Sequence, residues 1–182
     1  MKPLLMKPMF LSAVLATGVI ALGACTPADT GKAEAPTAPV TDITPTAAAD
    51  IPDAVRAVAL ATRPGMIVSE AELKEREGRR YYDVEGTLNG AEIELDMLET
   101  PQGWQVVEIQ RDIPWAEAPV IVSGAVQAQR AGFAPVRVIE STQADDGSVI
   151  YELFAEGQPD TPAVEVRVRN GRAEILKEVW PH

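Results

Sequence analysis

The stretch Arg79–Thr100, RRYYDVEGTLNGAEIELDMLET, decides the fold. At its centre stands Asn89-Gly90. A two-residue Asn-Gly connection is a strong hairpin signal, because a type I′ turn needs positive φ at both central residues. Beyond that turn Ile93, Leu95 and Met97 alternate with Glu92, Glu94 and Asp96. A period of two puts the apolar set on one face of a strand and the acidic set on the other, so the acidic set is expected on a solvated sheet face. Before the turn, Tyr82 and Val84 share a face and Tyr81 points away from them.

Outward from this hairpin, four strand-like runs follow one another: Met66–Lys74, Arg80–Leu88, Ala91–Glu99 and Trp104–Arg111, joined at Glu77-Gly78, Asn89-Gly90 and Gln102-Gly103. A helix is expected ahead of them, where Pro52 opens DAVRAVALAT and Pro64-Gly65 stops it. Val55, Val58, Ala59 and Thr62 form one helical stripe. The same order returns in the second half. Pro119 opens VIVSGAVQAQRA, with Val122, Ala125, Val126 and Gln129 at the same spacing and Gly132 as the stop. Four further runs follow: Val136–Gln143, Val149–Ala155, Ala163–Arg169 and Arg172–Val179, with turns at Asp145-Asp146-Gly147 and Asn170-Gly171 and an insertion at 156–162. Tyr82-Asp83-Val84 matches Tyr151-Glu152-Leu153. The fold class this predicts is α+β: two tandem α-β-β-β-β units over 51–115 and 116–182, joined into one antiparallel sheet with both helices on one face.

Composition removes whole classes of chemistry. The 182 residues are 46% hydrophobic and 24% charged, which is too apolar for a fully disordered chain. Acidic residues outnumber basic ones 27 to 16, giving a net charge of −11, so unaided nucleic-acid binding is not expected. The single Cys excludes an intrachain disulfide, and the single His, His182, stands at the end of the sequence. A Cys/His metal cage is excluded on those counts, and a Ser–His–Asp or Cys–His pair is not expected. There is no Gly-rich phosphate loop and no G-x-S-x-G elbow. Asp145-Asp146-Gly147-Ser148 lacks the spacing of an EF-hand loop and is expected to be a turn. No metal, no cofactor and no catalytic residue are therefore expected.

At the other end, Lys2 and Lys7 precede an apolar stretch from Met9 to Leu22. Fourteen residues is short for a membrane span, which needs about 20, and fits the core of an export signal. The stretch closes on Leu22-Gly23-Ala24-Cys25, which resembles the lipobox of bacterial lipoproteins. That resemblance implies a signal peptide over 1–24 and acylation of Cys25 as the first mature residue. Thr26 after the Cys resembles the outer-membrane sorting pattern. Residues 26–50 are rich in Ala, Thr and Pro, hold no aromatic side chain, and are expected to be a disordered tether. The expected location is the periplasmic face of the outer membrane, the lipid bilayer being one partner through acylated Cys25.

The α-β-β-β-β order, the Pro64-Gly65 turn, the run Arg79-Arg80-Tyr81-Tyr82-Asp83-Val84, the Asn89-Gly90 hairpin and the last strand after Gly103 together resemble the PepSY domain family. The likeness is clearest from Ile51 to Ile113, and the second unit is more diverged. The tandem arrangement is similar to that of beta-lactamase inhibitor proteins. The resemblance implies a secreted or membrane-attached module that inhibits or regulates peptidases. The expected function is a lipid-anchored, non-catalytic module that recognises a periplasmic protein or peptide, the alternative being a structural or assembly lipoprotein of the envelope. A carboxylate-based hydrolase would require a cleft lined by carboxylates. Candidate binding residues are Tyr81 and Trp104. If the strands are regular, both project away from the faces carrying Tyr82, Val107 and Ile109. Trp115 and Trp180, beside Pro114 and Pro181, are expected to pack where the two units meet.

Overall fold

Asn89 and Gly90 adopt φ values of 53° and 83°, and Asn170 and Gly171 take 52° and 71°. Both Asn-Gly pairs are therefore the tight reversals that the sequence predicts, and each joins two antiparallel strands. The computed structural model describes residues 42–178 and Trp180. Over these the chain is mixed α+β, with two helices and one nine-stranded antiparallel sheet whose strands lie in strict chain order. The strands are β1 (Asp42–Ala47), β2 (Ile67–Arg76), β3 (Arg79–Leu88), β4 (Ala91–Thr100), β5 (Gly103–Ile113), β6 (Arg137–Gln143), β7 (Val149–Phe154), β8 (Val164–Arg169) and β9 (Arg172–Ile175). Helix α1 spans Asp53–Thr62 and α2 spans Val120–Gln129.

The cross-strand register shows that both helices cover the same face. Pairs Val84↔Leu95, Leu95↔Ile109, Ile113↔Val138, Val138↔Leu153 and Leu153↔Val164 run across the sheet without changing side. Val55 and Ala59 of α1 pack on the first part of this surface with Tyr82, Val84, Leu95 and Met97. Val122 and Val126 of α2 pack on the second part with Val138, Tyr151, Leu153 and Val166. Of the expected helical stripes Val55, Ala59, Val122 and Val126 are buried, Val58, Thr62 and Ala125 are half-buried, and Gln129 is exposed. Between the two apolar clusters the same face carries a polar seam. Arg111 pairs with Glu140 at 2.7 Å, and the Tyr151 hydroxyl donates to Glu140 at 3.2 Å.

One strand lies where the sequence reading expects only a disordered tether. The last part of residues 26–50 is not unstructured: β1 pairs with β2 from Asp42↔Glu75 to Ala47↔Glu70, and a 3₁₀ turn at Ala48–Asp50 leads into α1. The Arg56 side chain donates to the Ala48 carbonyl, tying this turn to the helix. Pro45 fits here because β1 is an edge strand, where a missing N–H leaves no ladder bond unmade. The same local order recurs at β5, where a 3₁₀ turn at Trp115–Glu117 leads into α2 and β5 pairs with β6. At the other edge β9 stops at Ile175, short of the expected Val179. Among the described residues no helix is long and apolar enough to cross a membrane.

Candidate binding face

The sheet face opposite the helices is not the uniformly solvated surface that the alternation in β4 suggests. Glu92 is exposed, but Asp96 is only 7% exposed, and on the same face Asp83 and Glu108 are 6% and 4% exposed. The register explains how they meet. Asp83 of β3 lies opposite Asp96 of β4, which lies opposite Glu108 of β5, which lies opposite Gln143 of β6. Four adjacent strands thus lay a polar row across the middle of the sheet. A cavity of about 530 Å³ opens over this row, walled by Lys74, Tyr81, Leu98 and Gln105 as well as by the acids.

Each acid in the row has a partner. The Lys74 ammonium pairs with Asp83. Gln110 Nε2 donates to Asp96 Oδ2 at 3.3 Å. Ser141 Oγ donates to Glu108 Oε1, and Gln143 Nε2 donates to Ser141 Oγ at 2.9 Å. Burial alone would lower the affinity of Lys74 for its proton. Asp83, with Glu94 and Asp96 behind it, outweighs that and holds the ammonium above the ordinary lysine range. Burial raises the Asp96 carboxyl well above the usual carboxylate range, and the negative charges of Asp83, Glu94 and Glu108 push it further. Burial lifts Asp83 too, against the pull of Lys74. Oxygens of Asp83, Glu94 and Asp96 lie within 4.8 Å of one another. The Lys74 ammonium already occupies Asp83, and Gln110 occupies Asp96 Oδ2.

The two aromatic candidates part company. Tyr81 stands on the helix-free face as expected, half-buried at the cavity wall. Trp104 does not: it packs against the first apolar cluster, with its ring centroid 5.1 Å from that of Tyr82 at an interplanar angle of 62°. The expectation fails because β5 is not regular. The β4–β5 register slips between Asp96 and Met97, so that Asp96 faces Glu108 while Met97 faces Val106. The extra residue, Val107, is a β-bulge, which moves Val106 and Trp104 onto the face of Ile109 and leaves Val107 lining the cavity.

Trp115 packs against the second apolar cluster, and the Trp180 backbone N–H donates to Glu165 Oε2 at 2.6 Å. The acidic turn is a turn: Ser148 N–H donates to Asp146 Oδ1 at 2.8 Å. Ser148, through its hydroxyl and then its N–H, holds that carboxyl below its usual range. Cys25, the signal peptide over 1–24 and the tether up to residue 41 lie outside the described residues, as does His182. The residues that sequence reasoning missed are Lys74, Asp83, Asp96 and Glu108. Their only signal is polar alternation in β2 to β5, and what brings them together is register across four strands. No family model, curated protein or solved structure matches this chain.

Proposed function

We propose that this chain is a lipid-anchored binding module of the bacterial envelope, without catalysis, that recognises a protein or peptide on its helix-free sheet face. The carrying observation is the recess on that face. It offers an aromatic and an aliphatic wall at Tyr81 and Leu98, over a floor of charges of both signs. A half-buried tyrosine beside a preformed recess is the kind of anchor on which binding interfaces depend. Two tandem PepSY-like units over 51–115 and 116–182 are the architecture we favour. In support, α1 and α2 are each opened by a proline, led by a 3₁₀ turn and closed by an arginine whose N–H bonds four residues back. Regulation of a peptidase or a cell-wall enzyme is the specialisation that the PepSY resemblance suggests. The lipobox-like run ending at Cys25 supports anchoring at the periplasmic face of the outer membrane.

The test is capture from an envelope extract with the tagged full chain and its Tyr81→Ala variant. A partner retained by the first and lost by the second supports the reading. Equal retention points instead to the sheet edges, and so to a structural or assembly lipoprotein. Cys25→Ser should remove acylation and release the protein from the membrane fraction; unchanged fractionation would refute the anchor.

A second reading, acid–base hydrolysis, rests on one observation: Asp96 and Glu108 are facing carboxyls that line one cavity. It is the weaker one, since both are nearly buried and already engaged by Gln110 and Ser141. Turnover of a peptide or glycan substrate that disappears in Asp96→Asn would establish it.

A further inference from the structure

Like charges directly opposite one another across a sheet destabilise it, and each buried carboxylate carries a desolvation cost unless it is paired. The row Asp83–Asp96–Glu108 sets three acids in such opposition on three adjacent strands, all of them buried. Positive charge reaches the row from β2, as Lys74 on Asp83 and Arg76 beside it, and Arg79 of β3 stands at the cavity wall. That strand also brings Glu72, opposite Asp83. β3 adds the acid Glu85 and the phenol Tyr81 on this face, and β4 adds Glu94. β6 contributes only the neutral Ser141 and Gln143, and the turn after it places Asp145 at the cavity wall. Asp96 and Glu108 therefore lie one and two strands beyond Asp83, the acid that Lys74 pairs. They face each other directly across β4 and β5, both nearly buried. Two carboxylates offer only acceptors, so a stable contact between them requires a proton. Asp96 Oδ1 is buried with no hydrogen-bond partner, a position that a neutral carboxyl tolerates far better than an anion does.

We infer that Asp96 and Glu108 form a carboxyl pair that holds one exchangeable proton and acts as a pH sensor in the floor of the cavity. With the proton in place the pair carries a single negative charge. When it leaves, two anions face each other where β4 meets β5, beside the Val107 bulge and at the start of the β5–β6 seam. Ala144 N–H donates to the Val107 carbonyl there at 2.8 Å, and Ser141 donates to Glu108, so the added repulsion bears on the contacts that join the two halves of the sheet. The sensor is independent of which partner the face takes.

The sign of the effect is opposite to ordinary acid denaturation. Asp96 keeps its proton in the folded chain to a higher pH than in the unfolded one, so its contribution to stability is complete below the unfolded value. It is then lost as pH rises through the folded value. The experiment is a ¹³C carboxyl titration by NMR on the full chain, with thermal melts from pH 4 to 9. Asp96 should titrate well above a free aspartate, and the melting temperature should fall across the same interval. Asp96→Asn, which keeps the shape of the neutral acid, should abolish the elevated titration and flatten that fall. If Asp96→Asn does not fold, Glu108→Gln serves, and Asp96 should then titrate lower than in the native chain. The inference is overturned if Asp96 and Glu108 both titrate in the ordinary carboxylate range, if the elevated group proves to be Asp83, or if Asp96→Asn leaves the pH slope intact.

Discussion

Replacing Trp104 by alanine tests how β5 is laid into the sheet. With regular alternation Trp104 would stand on the open face, and its loss would cost the fold little. With the bulge at Val107 it stands on the helix face, edge-on to Tyr82 at 5.1 Å, with the Arg80 guanidinium 6.0 Å from its ring. Truncating a fully buried large aromatic costs about 3–5 kcal/mol. Trp104 is half-buried, so the packing loss is about half of that, and the edge-on contact adds roughly 0.5–1.5 kcal/mol. The expected destabilisation is therefore about 2–4 kcal/mol. For a body of this size that corresponds to roughly 6–16 °C in melting temperature. Urea melts followed by far-ultraviolet circular dichroism measure it directly, and an unchanged slope would confirm that stability alone has moved. Trp104→Phe should recover most of the loss by keeping a ring against Tyr82. Tyr81→Ala, on the other face, should cost no more than about 1 kcal/mol. A loss below about 0.5 kcal/mol for Trp104→Ala would put the ring outside the core and the bulge elsewhere in β5.

Two further expectations follow from the fold. A chain beginning at Ile51 should melt several degrees below one beginning at Thr41, since it loses the six β1–β2 pairs and the Arg56 bond to Ala48; equal melting temperatures would mean that β1 contributes nothing. Gly86→Ala should destabilise by about 1–3 kcal/mol, because a Cβ there would run into the Ile67 carbonyl and the Met66 side chain where β2 and β3 close up; a neutral result in a chemical melt would mean that β2 moves aside without cost.

What was legible in the sequence was whatever depends on neighbours along the chain. The Asn-Gly turns, the proline-opened helices and the alternation of Ile93, Leu95 and Met97 are local facts, and each stands where it was expected. Trp104 was misplaced because nothing in Gly103–Ile113 marks Val107 as the extra residue; the slip exists only relative to β4. Asp96 looked like one more solvated acid because its burial comes from Asp83 and Glu108, residues on two other strands. β1 was hidden by Pro45 and the threonines beside it, a composition that suits a tether and is equally acceptable on an edge. The candidate site was thus half readable: Tyr81 by parity, and the acidic row only through register.

The strict chain order of the nine strands has a consequence for how such a sheet forms and changes. Each strand hydrogen-bonds only to its predecessor and its successor, so every pairing closes a short segment of chain, and the longest closures are those that carry α1 and α2. Short closures sacrifice little chain entropy, which favours rapid assembly by hairpins zipping outward from either Asn-Gly turn. An architecture of this kind can also lengthen at its ends without rethreading anything already in place. β1 occupies one such end, and a strand could be added there or taken away while the remaining eight keep their order.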